Sequence, residues 1–257
     1  MIKTATSDKL TYEYCFDRVN LHIIPVIDLL NGICVHAKKG QRSRYLPLTS
    51  SLTKSKQPLD IVKAFMDTYP FKTLYIADLN AIQTLENTSP HHAQTIESIK
   101  HHFPDLKLWV DAGINTVKKA EIWVALGAQV ILGSESFQTI EQYDVMSKQL
   151  DKPFTLSLDF LAQGYTGPSS LLEQTMHWPK DIIIMTLAKV GGNAGVDVNM
   201  IKKIIGKGQL HHFYAAGGIR HLDDLQQLVT LKVKGALVAS ALHSQQISTQ
   251  ELEQLAT

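Results

Sequence analysis

Eight short runs of apolar and β-branched residues recur along this chain and constrain its fold more than any other feature. They lie at 23–28 (IIPVID), 73–79 (TLYIADL), 106–110 (LKLWV), 129–133 (QVILG), 154–159 (FTLSLD), 182–187 (IIIMTL), 212–216 (HFYAA) and 235–239 (GALVA). Between most of them sit amphipathic stretches such as 58–69, 116–128 and 221–233, whose apolar residues recur at helical spacing. Strands that alternate with helices imply a parallel sheet buried on both faces. Eight such units in 257 residues predict an α/β protein of the closed (β/α)8 TIM-barrel type. Closure is favoured over an open doubly wound sheet because it leaves no edge strand to protect.

An internal repeat supports that architecture. VIDLLNG at 26–32 echoes SLDFLAQG at 157–164, and WVDAGI (109–114) with ILGSESF (131–137) echoes YAAGGI (214–219) with LVASALH (237–243). The spacings agree: Gly113 to Gly133 is 133 − 113 = 20 positions, and Gly218 to Ala239 is 239 − 218 = 21. The barrel is therefore expected to be built from two half-barrel repeats. Residues 1–20 fall outside the pattern and read as an N-terminal extension, leaving 21–257 as a single barrel domain. The first half also carries an insertion at 33–57, expected to be a hairpin followed by a mobile loop.

Composition bounds the partners. Hydrophobic residues make up 44% and charged residues 19%, enough for a packed interior. A formal net charge of +1 supplies no overall drive toward nucleic acid or an anionic membrane, so anion specificity must be local. The expected partner is a phosphorylated small molecule, with no nucleic acid and no membrane; the oligomeric state is not readable. Cys15 and Cys34 are too few for a disulfide framework and lack a zinc-type spacing. The opening residues show no signal-peptide pattern and no run approaches the ~18 apolar residues of a membrane span, so the expected address is the cytoplasm. The histidine pairs 91/92, 101/102 and 211/212 present diverging side chains, and no H-E-x-x-H occurs, so no metal is expected. Neither a G-x-G-x-x-G nor a P-loop pattern is present, and no cofactor is expected.

In a parallel barrel every strand opens its C-terminal end on one face, where the active site is built. Asp28 and Asp159 terminate the first and fifth strands, opposite each other in a ring of eight, so two carboxylates flank one cavity. That suits acid/base work, one group accepting a proton while the other donates; the plainer reading is that each caps a turn or pairs with a loop cation. Gly217 and Gly218 lead from strand seven toward a helix, and glycine lets backbone N–H groups approach an anion there, with Ser240 nearby after strand eight. Gly113, Gly133 and Ser134 are the first-half counterparts, which makes two phosphate pockets conceivable. Thr186 is expected to donate a hydrogen bond in the mouth, and the glycine-rich loop that follows, with Gly192, to fold over the ligand. Lys189 reads as an anion contact or a Schiff-base amine. Lys38 and Arg42, with Lys39 and Arg44, form either an anion clamp or a solvated loop, and Asp78 a third mouth carboxylate or a structural partner for these cations.

These residues resemble the HisA/HisF family of histidine biosynthesis over 22–243. IIPVIDLLNG looks like that family's first strand and catalytic aspartate, LSLDF like its fifth strand, and AAGGI and VILGSESF like its phosphate turns. The resemblance implies an isomerase that converts an aminoaldose ribosyl phosphate into an aminoketose, with Asp28 and Asp159 as the acid/base pair and Thr186 as a strand-six hydroxyl. Departures accompany the likeness. Gly191, Gly192 and Asn193 stand where the family's isomerases carry Asp-Gly-Thr. Asp111, Ala112 and Gly113 replace three glycines, putting into the first turn a carboxylate that opposes phosphate unless it points elsewhere, and Ala239 and Ser240 replace Gly-Arg on strand eight. VHAKKGQRSRYLPL, YIADLNAI and LAKVGGNAGVD resemble the HisA-related proteins of methanogens and methylotrophs, associated with one-carbon carriers such as tetrahydromethanopterin or methanofuran. The leading expectation is thus a HisA-like phosphosugar isomerase, or a related acid/base enzyme, of that metabolism. The alternatives are the ProFAR isomerase of histidine biosynthesis, a Schiff-base lyase using Lys189, and a non-catalytic ligand-binding or assembly barrel.

Overall fold

The computed structural model describes residues 20–37, 45–84, 91–190 and 195–255. Its strands are β1 (His22–Leu30), β2 (Ile33–His36), β3 (Leu46–Pro47), β4 (Thr73–Asp78), β5 (Lys107–Asp111), β6 (Gln129–Gly133), β7 (Thr155–Leu161), β8 (Gly164–Thr166), β9 (Asp181–Thr186), β10 (His212–Ala216) and β11 (Gly235–Val238). Eight of them, β1, β4, β5, β6, β7, β9, β10 and β11, pair in parallel in that order. Pairing of β11 back onto β1, with Ile24 opposite Leu237, closes the ring. The eight are the runs read from sequence, with ends moved by one or two residues. Leu79 and Leu187 leave their strands and begin helical turns instead.

The remaining strands are hairpin partners, and they revise the expectation that Asp28 and Asp159 end their strands. β1 runs two residues past Asp28 and turns back through Asn31 and Gly32 into β2; β7 runs two past Asp159 and turns back into β8. Asp28 faces Val35 and Asp159 faces Thr166, so the separations are 35 − 28 = 7 and 166 − 159 = 7. The echo VIDLLNG/SLDFLAQG is thus one hairpin used twice. The left-handed backbone at Asn31 and Gly32 (φ 51° and 80°) makes the first of these tight turns.

The helices are α1 (Pro58–Thr68), α2 (Leu79–Gln83), α3 (Ala93–His102), α4 (Val117–Ala125), α5 (Ile140–Gln149), α6 (Ser169–Glu173), α7 (Val198–Ile205), α8 (Leu222–Thr230), α9 (Ser240–His243) and α10 (Thr249–Leu255). Local chemistry sets their starts. Pro58 occupies the first turn of α1, where no N–H is needed, and Thr116, Thr139 and Asp197 cap α4, α5 and α7 through their side-chain oxygens. The N–H of Leu21 donates to the carbonyl of Leu255, tying the start of the barrel to its last helix. Apart from Asn20, the expected extension lies outside the described residues.

Side chains along each barrel strand alternate between two cores. Ile23, Ile27, Leu74, Ile76, Leu108, Val110, Ile182 and Ile184 pack outward beneath the helices. Ile24, Tyr75, Trp109, Ile131, Ile183, Tyr214 and Leu237 fill the barrel. Trp109 and Tyr214 come from the third and seventh barrel strands and meet edge to face, their ring centroids 4.9 Å apart. They plug the interior one inward position below Asp111 and Ala216, which line the cavity of the mouth.

Candidate active site

A cavity of about 340 Å³ occupies the C-terminal mouth of the barrel. Asp28 of β1, Asp111 of β5 and Asp159 of β7 all line it, with Tyr75 of β4 between the first two strands. On three further, consecutive strands, Gly217, Gly218 and Arg220 follow β10, Ser240 follows β11 and Lys189 follows β9. Leu79, Ile82, Leu161, Leu187 and Val190 give the cavity apolar walls.

Burial and proximity move these carboxyls out of their ordinary range. The pKa of Asp28 is pushed up to about 7, first by burial and then by the charge of Asp111. That of Asp159 is pushed up to about 8, first by burial and then by the charge of Glu135, with Asp111 adding to it. Asp159 is 4% exposed and tightly held. Its Oδ1 accepts from the Ser157 hydroxyl at 2.7 Å, and its Oδ2 accepts from the Glu135 N–H at 3.2 Å. Asp28 is half-buried and the more accessible of the two. Tyr75, 3% exposed, donates to Asp111 Oδ2 at 3.0 Å, and burial beside these acids keeps its hydroxyl protonated. Both members of the opposed pair thus exchange protons near neutral pH, where one is able to donate while the other accepts.

The turn after β10 is shaped for close approach. Gly217 and Gly218 have φ of 98° and 85°, a left-handed backbone that glycine adopts without strain. A Cβ at Gly217 would overlap the carbonyl oxygen of Thr186, and one at Gly218 the carbonyl oxygen of Gly195. The turn leads into α8, whose N-terminal dipole favours an anion. Arg220 is anchored by Asp224, which accepts from Nε and from the terminal guanidinium nitrogen at 2.9 Å each.

The family described as histidine biosynthesis protein matches residues 22–248, nearly the whole barrel. This chain belongs to the HisA/HisF family. It is 30% identical to an uncharacterized protein of Methanocaldococcus jannaschii over 90% of this chain and 97% of that protein. It is also 24% identical to the 1-(5-phosphoribosyl)-5-((5-phosphoribosylamino)methylideneamino) imidazole-4-carboxamide isomerase of Marinobacter nauticus, over 90% of this chain and 96% of the isomerase. The identically named isomerase of Aquifex aeolicus is 25% identical, over 90% and 97%.

In this member of the HisA/HisF family several residues singled out from sequence stand apart from the cavity. Thr186 shares the outward parity of Ile182 and Ile184, is 5% exposed, and donates its hydroxyl to the Ala216 carbonyl at 2.7 Å. Asp78, fully buried, accepts from the Ala81 N–H at the start of α2 and lies 2.9 Å from His92 Nδ1. His92 Nε2 in turn accepts from the Gly32 N–H, so Asp78 holds the β1–β2 turn against α2 rather than facing the mouth. Ser134 is fully buried, accepts from the Asp159 N–H at 2.9 Å and donates to the Thr166 carbonyl at 2.7 Å. Gly133 backs onto Asp159, whose Oδ2 would lie 3.2 Å from any Cβ there. The Gly113 N–H donates to Asp111 Oδ1. Lys38, Arg42 and Gly192 lie outside the described residues.

Among the polar lining residues that sequence reasoning missed are Tyr75, Glu135, His36, Arg220 and Gln246. Inward parity with Ala77 would have found Tyr75. Glu135 and Arg220 each lie two positions past a turn glycine, Gly133 and Gly218, where no local pattern marks a side chain as facing the mouth. Cys34 is fully buried, and burial together with the Asp28 charge pushes its thiol up to about 12, which leaves it inert as a nucleophile. Among the described residues no group of three or more His, Cys, Asp or Glu is placed to hold a metal ion, and no helix is long and apolar enough to cross a membrane.

Proposed function

We propose that this HisA-like barrel is an isomerase that moves protons on a phosphorylated small molecule, with Asp28 as base, Asp159 as acid and the phosphate seated at Gly217 and Gly218. The observation that carries this reading is the presence, in one cavity, of two carboxyls both pushed up to near neutral pH. Burial divides the roles: Asp159 is enclosed and favours its neutral, proton-donating form, whereas Asp28 is more open to solvent and supplies the carboxylate.

In that scheme Asp28 removes the proton from the carbon next to an aldehyde or imine carbon. The electron pair moves into a carbon–carbon double bond, and Asp159 protonates the heteroatom that receives the displaced pair. Return of a proton to the former aldehyde or imine carbon, with loss of the proton on the adjacent hydroxyl as its oxygen becomes the carbonyl, yields the ketose or aminoketose. Nothing is oxidised overall, so the chemistry draws on no redox cofactor. For the wider pathway, we propose one-carbon carrier biosynthesis, of the tetrahydromethanopterin or methanofuran type, rather than histidine biosynthesis. This is supported by the sequence likeness to the methanogen branch and by the changed residues after the third and sixth barrel strands.

The test is turnover of a panel of phosphorylated aldoses and aminoaldoses scored for ketose formation, with wild type, Asp28→Asn and Asp159→Asn compared on every member that wild type converts. Each variant is expected to lose activity by about 10³-fold; full turnover in either overturns its assigned role. A deletion strain is expected to grow without histidine and to fail on one-carbon substrates.

A further inference from the structure

The internal repeat sets two corresponding turns across one cavity from each other. Aligning WVDAGI with YAAGGI places Asp111 opposite Ala216, and aligning ILGSESF with LVASALH places Glu135 opposite Ala241. All four residues line the cavity. The first half therefore presents two carboxylates at the positions where the second half presents two methyl groups.

The donors that would receive an anion in the first half are also committed within the chain. The Gly113 N–H donates to Asp111 Oδ1 at 3.3 Å, and the Glu135 N–H to Asp159 Oδ2 at 3.2 Å. The Ser134 hydroxyl donates to the Thr166 carbonyl. Gly113, Gly133 and Ser134 are absent from the cavity lining, whereas Gly217, Gly218 and Ser240 belong to it. A phosphate brought to the first-half turn would meet the Asp111 and Glu135 carboxylates where the second half offers methyl groups, and would have to displace the Gly113, Glu135 and Ser134 donors from partners they already hold.

We infer that the substrate carries a single phosphate, held at the Gly217–Gly218 turn, and that the end facing Asp111 and Glu135 is not anionic. This rests on the phosphate seat of the proposed function and narrows it. It separates the chain from the two isomerases above, whose name specifies two phosphoribosyl groups.

Calorimetric titration of the full chain with two probes tests it. The probes are ribose 5-phosphate and the bis-phosphoribosyl imidazole carboxamide for which those isomerases are named. Wild type is expected to gain no affinity from the second phosphate, and Asp111→Ala/Glu135→Ala, which copies the second half, to bind the two-phosphate probe at least about tenfold tighter than wild type does. Should wild type already bind the two-phosphate probe about tenfold tighter than ribose 5-phosphate, the single-phosphate inference falls while the acid/base reading stands. That arm needs no variant to fold. Should neither probe bind wild type, the seat at Gly217 and Gly218 falls, and this inference with it.

Discussion

The Ser157 hydroxyl donates 2.7 Å to Asp159 Oδ1 from two residues earlier on β7, both side chains facing into the barrel. A hydrogen bond to a carboxylate favours the ionised form, so Ser157 offsets part of the upward push from burial and from Glu135. Ser157→Ala therefore raises the Asp159 pKa further. The expected result is an alkaline limb of the kcat/KM profile moved up by roughly one pH unit, with the acidic limb unchanged. An unmoved alkaline limb would remove Asp159 as the donor.

Stability carries the same signature. The folded-state pKa of Asp159 lies near 8 against an ordinary value of 3.8. Below the ordinary value both folded and unfolded states hold the proton. As pH rises toward 8 the unfolded chain ionises first, and the native state loses relative stability until the folded pKa is passed. Asp159→Asn removes this dependence. Denaturant titrations are expected to shift the stability difference in favour of the variant by about 4 kcal/mol between pH 5 and pH 9; a difference independent of pH contradicts the buried, protonated state.

Asp78 is a carboxylate of another kind, fully buried between α2 and His92. Asp78→Ala removes the cap on the Ala81 N–H and leaves His92 without its partner. The expected cost is about 2 kcal/mol of stability, with affinity for ribose 5-phosphate unchanged. A tenfold loss of that affinity at undiminished stability would place Asp78 in the ligand site.

Thr186 supports the phosphate turn from behind, its hydroxyl on the Ala216 carbonyl and its backbone oxygen against Gly217. Thr186→Val keeps the volume and leaves that buried carbonyl short of a donor, at a cost of about 1 kcal/mol. KM is expected to rise several-fold while kcat is largely kept. A drop in kcat of about 100-fold with KM unchanged would show the hydroxyl acting at the reacting atoms instead.

The barrel was legible because strands buried on both faces read as continuous apolar runs, and eight such runs leave few alternatives. That same continuity concealed which side chains face inward. Asp28 shares its parity with Ile24 and Val26 and points into the cavity, whereas Asp78 shares its parity with Leu74 and Ile76 and points toward the helices. In sequence both are an aspartate at the end of an apolar run. Tyr75 was hidden for the converse reason, being read as one more apolar residue of TLYIADL although its hydroxyl binds Asp111. The insertion at 33–57 reads as a hairpin, which β2 and β3 form, but the pairing of β2 back onto β1 and the matching return after Asp159 leave no signal, because a two-residue overhang on a strand has no pattern of its own.

The proposed function requires Asp28 and Asp159 to exchange protons near neutrality within one cavity. The direct measurement is a carboxyl ¹³C NMR titration of protein labelled at aspartate, with Asp28→Asn and Asp159→Asn used to assign the two resonances. Midpoints near pH 7 for Asp28 and pH 8 for Asp159 are expected. Midpoints for both near the ordinary carboxylate value of about 4 would contradict it.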